Sequence, residues 1–120
     1  MIVEGQVHGG IAQGAGQALF EYLVLDPDTG QVLGGSFMDY GIPRADQLPM
    51  FDTAFTEDPT GGNPLRVKGG GEAGITPATA CIYNALLDAL APLGVTNVPM
   101  PATPLRVWEA IQRARFEDLL

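Results

Sequence analysis

One carboxylate stands inside a run of glycines in the second half of the chain. The segment reads Gly69-Gly70-Gly71-Glu72-Ala73-Gly74. Glycines spaced so closely let the backbone approach a bound molecule while a single acidic side chain is held at a fixed place. A carboxylate held in this way can take a proton from a reacting group, so Glu72 is a candidate general base.

Two nucleotide-binding templates overlap the same loop. Its spacing fits the dinucleotide template G-x-G-x-x-G, and it lies between a short extended run and a predicted helix. The carboxylate of Glu72 would repel a pyrophosphate, and Asp88 falls within a helix instead of at the end of a second strand. The P-loop template fails because Ile75-Thr76 replaces the required Lys-Ser/Thr pair. A nucleotide-binding fold is therefore disfavoured.

Glu72 also has a purely structural interpretation. An acidic residue just before a helix interacts favourably with the positive end of the helix dipole. His8 is the single histidine, which favours a packing or solvent-facing role over a metal site. Gln6 and Gln13 carry amides that suit recognition of a heterocycle edge, although surface glutamines are common. On the residues alone, catalysis and helix capping both stay open for Glu72.

The composition narrows the class of partner. Fourteen Asp and Glu against six Lys and Arg give a net charge of -8, which disfavours nucleic acid and anionic membrane as partners. No leader-like segment or long apolar run is present, so we expect a cytoplasmic protein. Cys81 is the only cysteine, which excludes an internal disulfide, and its setting predicts a buried thiol in a helix core.

Periodicity and turn signals predict five elements in the order helix, hairpin, strand, helix and helix. They cover residues 9–21, 22–37, 51–56, 76–90 and a last helix that starts at Thr103-Pro104. Three glycines in the first helix each cost about 1 kcal/mol relative to alanine, so we expect a close packing partner there. Because hairpin signals dominate, the predicted fold class is α+β, with helices packed on a small mixed or antiparallel sheet. Residues 1–120 are expected to form a single domain or a fragment of one.

Three motifs, in order, resemble the molybdopterin-binding subunits of the xanthine oxidase family, and most nearly the large subunit of aerobic carbon monoxide dehydrogenases. They are Gly5 to Glu21, Val67 to Ala73 and Pro101 to Trp108, which together span nearly the whole chain. Family subunits are several times longer. The resemblance therefore implies a C-terminal portion of a molybdopterin-binding domain, whether as a truncated form, a split gene product or a proteolytic remnant.

The resemblance implies a role for each residue of the candidate site. Glu72 would be the base, Gln6 would hydrogen-bond the cofactor near the metal, and Gly70 and Gly71 would bring backbone amides close to it. Lys68 would also contact the cofactor. The implied cofactor is molybdopterin, as its cytosine dinucleotide, with molybdenum. No side chain would bind the metal, since the pterin dithiolene holds it.

The implied activity is hydroxylation or oxidation of a small carbon substrate with oxygen derived from water. Carbon monoxide, aldehydes and N-heterocycles all remain possible substrates. FAD-binding and 2Fe–2S subunits and the upstream part of the same subunit would be partners, and the isolated chain would be inactive. The alternative is a non-catalytic binding or assembly module in which Glu72 caps a helix. Apolar surface exposed by a fragment would favour self-association into a homo-oligomer.

Overall fold

Helices carry the fold in the computed structural model, which describes residues 1–117 and the side chains of residues 1–116. The three α-helices are α1 (Ile2–Ala15), α2 (Ile75–Leu90) and α3 (Pro104–Glu117). A π-helical turn (Gly16–Phe20) continues α1, and short 3-10 turns occupy Ala45–Gln47 and Ala91–Leu93. Within residues 1–117, no helix is long and apolar enough to cross a membrane.

The predicted α+β fold class, with helices packed on a small sheet, is wrong. No strand or sheet forms within residues 1–117, and the predicted hairpin is reduced to one antiparallel bridge between Leu25 and Val32. Residues 51–56 have no ladder partner in this part of the chain. Alternating apolar residues are a local signal, whereas a sheet needs further strands, and a two-stranded hairpin alone is only marginally stable.

Helices α1 and α2 pack backbone against backbone. A Cβ atom on Gly10 would lie 2.6 Å from the amide nitrogen of Ile75, and one on Gly14 would clash with the side chain of Ala78. This contact confirms that the glycines of the first helix serve close packing. The helix itself begins earlier than predicted, at Ile2, and Met1 gives it no side-chain cap, which explains why its start was missed.

A small core holds the other end of α2 against α3. Leu90, Val95, Val98 and Ala102 are buried there, and Val107, Ile111 and their neighbours on α3 cover them. Gly94 ends the turn after α2 with a φ of 77°, a left-handed conformation that favours glycine. Helix α3 begins at the predicted Thr103-Pro104 step. The second and third helices therefore agree with the sequence-based prediction.

The chain is extended, and much of its apolar surface is uncovered. Its radius of gyration is 18.7 Å, whereas a compact chain of this length would have about 14 Å. Its accessible surface is 9052 Å², against about 6,200 Å² for a compact monomer of this mass. Phe37 is 80% exposed and Met50 is 93% exposed. Cys81 is also exposed, so the prediction of a buried thiol is wrong.

Candidate functional site

A hydrogen bond joins the two sequence segments that carry the predicted site residues. The side-chain amide of Gln6 on α1 donates to the carbonyl oxygen of Gly71 at 3.0 Å, across 65 positions of sequence. The backbone contact between α1 and α2 brings these segments together, since Gly74 has no room for a side chain against Val7. Gln6 and the glycine loop thus form one local unit.

Glu72 lies at the end of this loop, directly before α2. Its side chain is exposed, and its carbonyl oxygen accepts a hydrogen bond of 3.1 Å from the amide of Thr76 in the first turn of α2. The residue therefore lies at the N-terminal end of α2 with its side chain accessible to a bound molecule. An accessible carboxylate can act as a proton acceptor.

The glycines before Glu72 leave open space beside the loop. A Cβ atom on Gly69 or Gly71 would meet no atom within 4 Å, and one on Gly70 would only touch Val3 at 3.9 Å. Within residues 1–117 the glycines with positive φ are Gly30 and Gly94, so the loop conformation does not require glycine either. Neither packing nor conformation in this chain explains the run of glycines, whereas close approach of another group would explain it.

Lys68 forms an ion pair with Asp58. Its ammonium group lies 3.0 Å from a carboxylate oxygen of Asp58, and both side chains are exposed. Exposed pairs of this kind contribute little to stability, typically about 0–1 kcal/mol. The pair nevertheless joins the two ends of the segment formed by residues 58–68.

Asn63 is a residue that the sequence analysis did not single out. Its side chain pairs with both backbone groups of Val67: Nδ2 donates to the carbonyl oxygen at 2.9 Å, and Oδ1 accepts from the amide at 3.2 Å. The available signal was its place beside Pro64 in a region of turn residues, which indicates a turn but not this pairing.

His8 links α1 to the long segment that precedes the glycine loop. Its ring lies 5.5 Å from that of Phe51 in an edge-on arrangement, and Nε2 is 3.4 Å from the hydroxyl of Thr53. The ring is half-buried. The structure therefore gives His8 a packing role, as the sequence favoured.

A second polar contact lies at the far end of α1. The hydroxyl of Tyr40 donates to Glu21 at 2.7 Å. This hydrogen bond, assisted by desolvation and the negative charge of Glu21, raises the pKa of Tyr40 above its usual value of 10.0. No spacing rule connects these two residues, so the contact could not be predicted from the sequence.

An apolar groove runs between α1 and α2 next to the glycine loop. It encloses about 300 Å³ and is lined by Val7, Ile11, Ala73, Pro77, Cys81 and their neighbours. In the described part of the chain, no three His, Cys, Asp or Glu side chains gather as a metal site would require. The region is therefore a carboxylate and backbone site beside an apolar groove.

Known proteins match this chain along nearly its full length. Residues 1–49 match a family model described as the molybdopterin cofactor-binding domain. The nicotine 6-hydroxylase large subunit of Paenarthrobacter nicotinovorans is 43% identical over 91% of this chain and 13% of its own length. The carbon monoxide dehydrogenase large chain of Hydrogenophaga pseudoflava is 36% identical over 93% of this chain and 14% of its own.

A solved structure gives the same result. Quinoline 2-oxidoreductase from Pseudomonas putida superposes with a TM-score of 0.87 at 42% identity, over 93% of this chain and 14% of that one. The chain thus spans about one-seventh of the length of the proteins it matches.

Proposed function

Because this chain belongs to the family of molybdopterin-binding subunits of xanthine-oxidase-type hydroxylases, we propose that it supplies the catalytic base and part of the cofactor cradle of such an enzyme. The base is Glu72. The observation that carries the proposal is the hydrogen bond between Gln6 and Gly71, which unites two separately predicted segments beside that carboxylate.

The residues of the loop fit a bound pterin cofactor. A Cβ atom on Gly69 or Gly71 would occupy open space. Because glycine has no Cβ atom, the backbone there is accessible and forms a shallow cradle. Gln6 uses one amide hydrogen on Gly71, and its second hydrogen and its oxygen provide a further donor and acceptor for a pterin edge. Gly70 and Gly71 would bring backbone groups to the cofactor, and Lys68 would also contact it.

When bound, the molybdenum cofactor supplies the water-derived oxygen and accepts the two electrons of the oxidation. The part left to this chain is proton transfer and orientation. A carboxylate oxygen of Glu72 would accept the proton that the oxidation releases, and a positioned base of this kind accelerates a reaction by roughly 10²–10⁴-fold. Gln6 and the start of α2 fix the backbone on either side of that carboxylate.

The remainder of the active site lies in the partners we propose. The other six-sevenths of the large subunit would complete the cofactor site and the substrate pocket, as the coverage of the relatives suggests. That remainder would also cover the exposed apolar side chains, and without it the chain would self-associate into homo-oligomers. FAD-binding and 2Fe–2S subunits would receive the electrons. The substrate would be a small carbon compound, as the names of the relatives suggest.

The test is Glu72→Gln in the assembled enzyme, with nicotine, quinoline, xanthine and carbon monoxide as probe substrates. We expect turnover to fall by about 10²-fold or more, because glutamine cannot accept the proton, while the molybdenum content stays unchanged. Glu109→Gln on α3 is the matched control and should retain full turnover. Full turnover in Glu72→Gln would reject the proposed base.

The alternative role, a non-catalytic assembly module in which Glu72 only caps α2, predicts a different result. A tightly folded complex with the upstream part of the subunit would then contain no molybdopterin. Measuring molybdopterin in the co-expressed complex distinguishes this role from that of a cofactor cradle.

A further inference from the structure

The segment that leads into the glycine loop is closed by one asparagine. Asn63 uses both halves of its side-chain amide on a single residue, donating to the carbonyl of Val67 at 2.9 Å and accepting from its amide at 3.2 Å. These two hydrogen bonds give both backbone polar groups of Val67 a partner. Val67 is therefore fixed in position and in orientation.

Backbone bonds reinforce this closure. The amide of Arg66 donates to the carbonyl of Asn63 at 3.0 Å, and the amide of Thr60 donates to the carbonyl of Arg66 at 3.3 Å. Arg66 has a φ of 56°, a left-handed conformation that a side chain with a Cβ adopts only when its surroundings impose it. The turn from Asn63 to Val67 thus has one defined shape.

The glycine loop between Val67 and Glu72 has few other restraints. Gly69 and Gly71 have no neighbours within reach of a Cβ atom, and the closest approach at Gly70 is 3.9 Å. On the far side, the hydrogen bond from Gln6 holds Gly71. The loop that carries the carboxylate is therefore held at both ends by side-chain amides. Asn63 holds its start through Val67, and Gln6 holds its end through Gly71.

We infer that Asn63 is a positioning residue for the reaction. It fixes the position at which the glycine loop starts, and thereby the place of the Glu72 carboxylate. This inference rests on the proposed function of Glu72. Asn63 does not touch the reacting atoms in this scheme. It acts through Val67, which holds the start of the glycine loop as Gln6 holds its end, because a loop held at both ends samples fewer conformations than a loop held at one end.

The test compares Asn63→Ala with Asn97→Ala in the assembled enzyme, using the same four probe substrates. Asn97 is a matched control because its exposed amide oxygen also accepts one hydrogen bond, from the hydroxyl of Tyr83 at 2.9 Å, and it is not part of the proposed site. For Asn63→Ala we expect kcat to fall by roughly 10–100-fold, the effect of misplacing a catalytic group by about 1 Å. KM and molybdenum content should stay within twofold of the wild type, as should every parameter of Asn97→Ala.

A second variant keeps the test decisive if Asn63→Ala does not assemble. Asn63→Asp retains the acceptor for the Val67 amide and loses the donor to its carbonyl, so its kcat should lie between those of the wild type and Asn63→Ala. A kcat within twofold of the wild type in the assembled variants would overturn the inference, and so would a loss of kcat that matches a loss of molybdenum. Glu72→Gln, measured in parallel, separates the two proposals: if it is inactive while Asn63→Ala is fully active, only the role of Asn63 fails.

Discussion

The side-chain amide of Gln6 donates a hydrogen bond of 3.0 Å to the carbonyl oxygen of Gly71. This bond ties the first helix to the loop that precedes the second, one residue before Glu72. A change in α1 can therefore alter the position of a carboxylate in the other half of the chain.

Replacing Gln6 with alanine should lower turnover in the assembled enzyme. The lost hydrogen bond is worth only about 0.5–1.5 kcal/mol of stability, but the released loop should cost about tenfold or more in kcat because the carboxylate loses its fixed place. Gln31→Ala is the matched control, since its amide also donates to a backbone carbonyl, that of Val32 at 3.3 Å. Equal turnover in both variants would contradict the role of Gln6.

Alanine substitutions in α1 should have opposite effects on its two sides. Gly10→Ala would push a methyl group to 2.6 Å from the backbone of Ile75, and overpacking of this kind costs about 1–3 kcal/mol. Gly9→Ala meets nothing within 4 Å and should stabilise the helix by up to about 1 kcal/mol. Urea unfolding of the two variants measures the difference. A destabilised Gly9→Ala chain would show that this outer side is covered.

Arg66 has the left-handed backbone that glycine adopts without strain, with a φ of 56°. Arg66→Gly should therefore raise the free energy of unfolding by about 0.5–1 kcal/mol, since relief of the strain exceeds the entropy that glycine adds to the unfolded chain. Arg66→Ala keeps the Cβ atom and should give no such gain. A urea midpoint that rises equally in both variants would assign the effect to the lost charge and not to the backbone.

The pKa of Tyr40 should fall towards its usual value when its partner is neutralised. The hydrogen bond to Glu21 raises the pKa above 10.0, so its contribution to stability is complete below about pH 10 and is lost as the pH rises through the raised value. An NMR titration of the Tyr40 ring in Glu21→Gln should show the lower pKa. Glu4→Gln is the control, and an unchanged titration in Glu21→Gln would contradict the assignment.

Local chemistry predicted the helices better than any other part of the fold. The prolines at positions 77 and 104 mark the first turns of α2 and α3, and Gly94 marks the turn after α2, because each acts through its own backbone. The hairpin and the strand at 51–56 failed, because pairing depends on a distant partner that no local pattern reveals. Cys81 failed for a related reason: helical spacing shows which residues share a face, but not whether anything covers that face.

The candidate site, like the fold, was predicted from the sequence only in part. Four glycines around Glu72 indicated a site for close approach of another group. The resemblance predicted that Gln6 belongs to the same site. The roles of Gln6, Lys68, Gly70, Gly71 and Glu72 towards the cofactor remain predictions. The pairing of Asn63 with Val67 was beyond reach, because it depends on the left-handed turn at Arg66, which its side chain does not favour.

The apolar side chains that this fold leaves exposed also have a consequence for the fate of the chain in a cell. Large apolar side chains such as Phe37, Met50 and Leu65 are at least 80% exposed, and surfaces of this kind are recognised by chaperones and proteases. Until another polypeptide segment covers them, degradation competes with assembly. An isolated form of these residues should therefore be degraded faster than a form in which the same apolar side chains are covered.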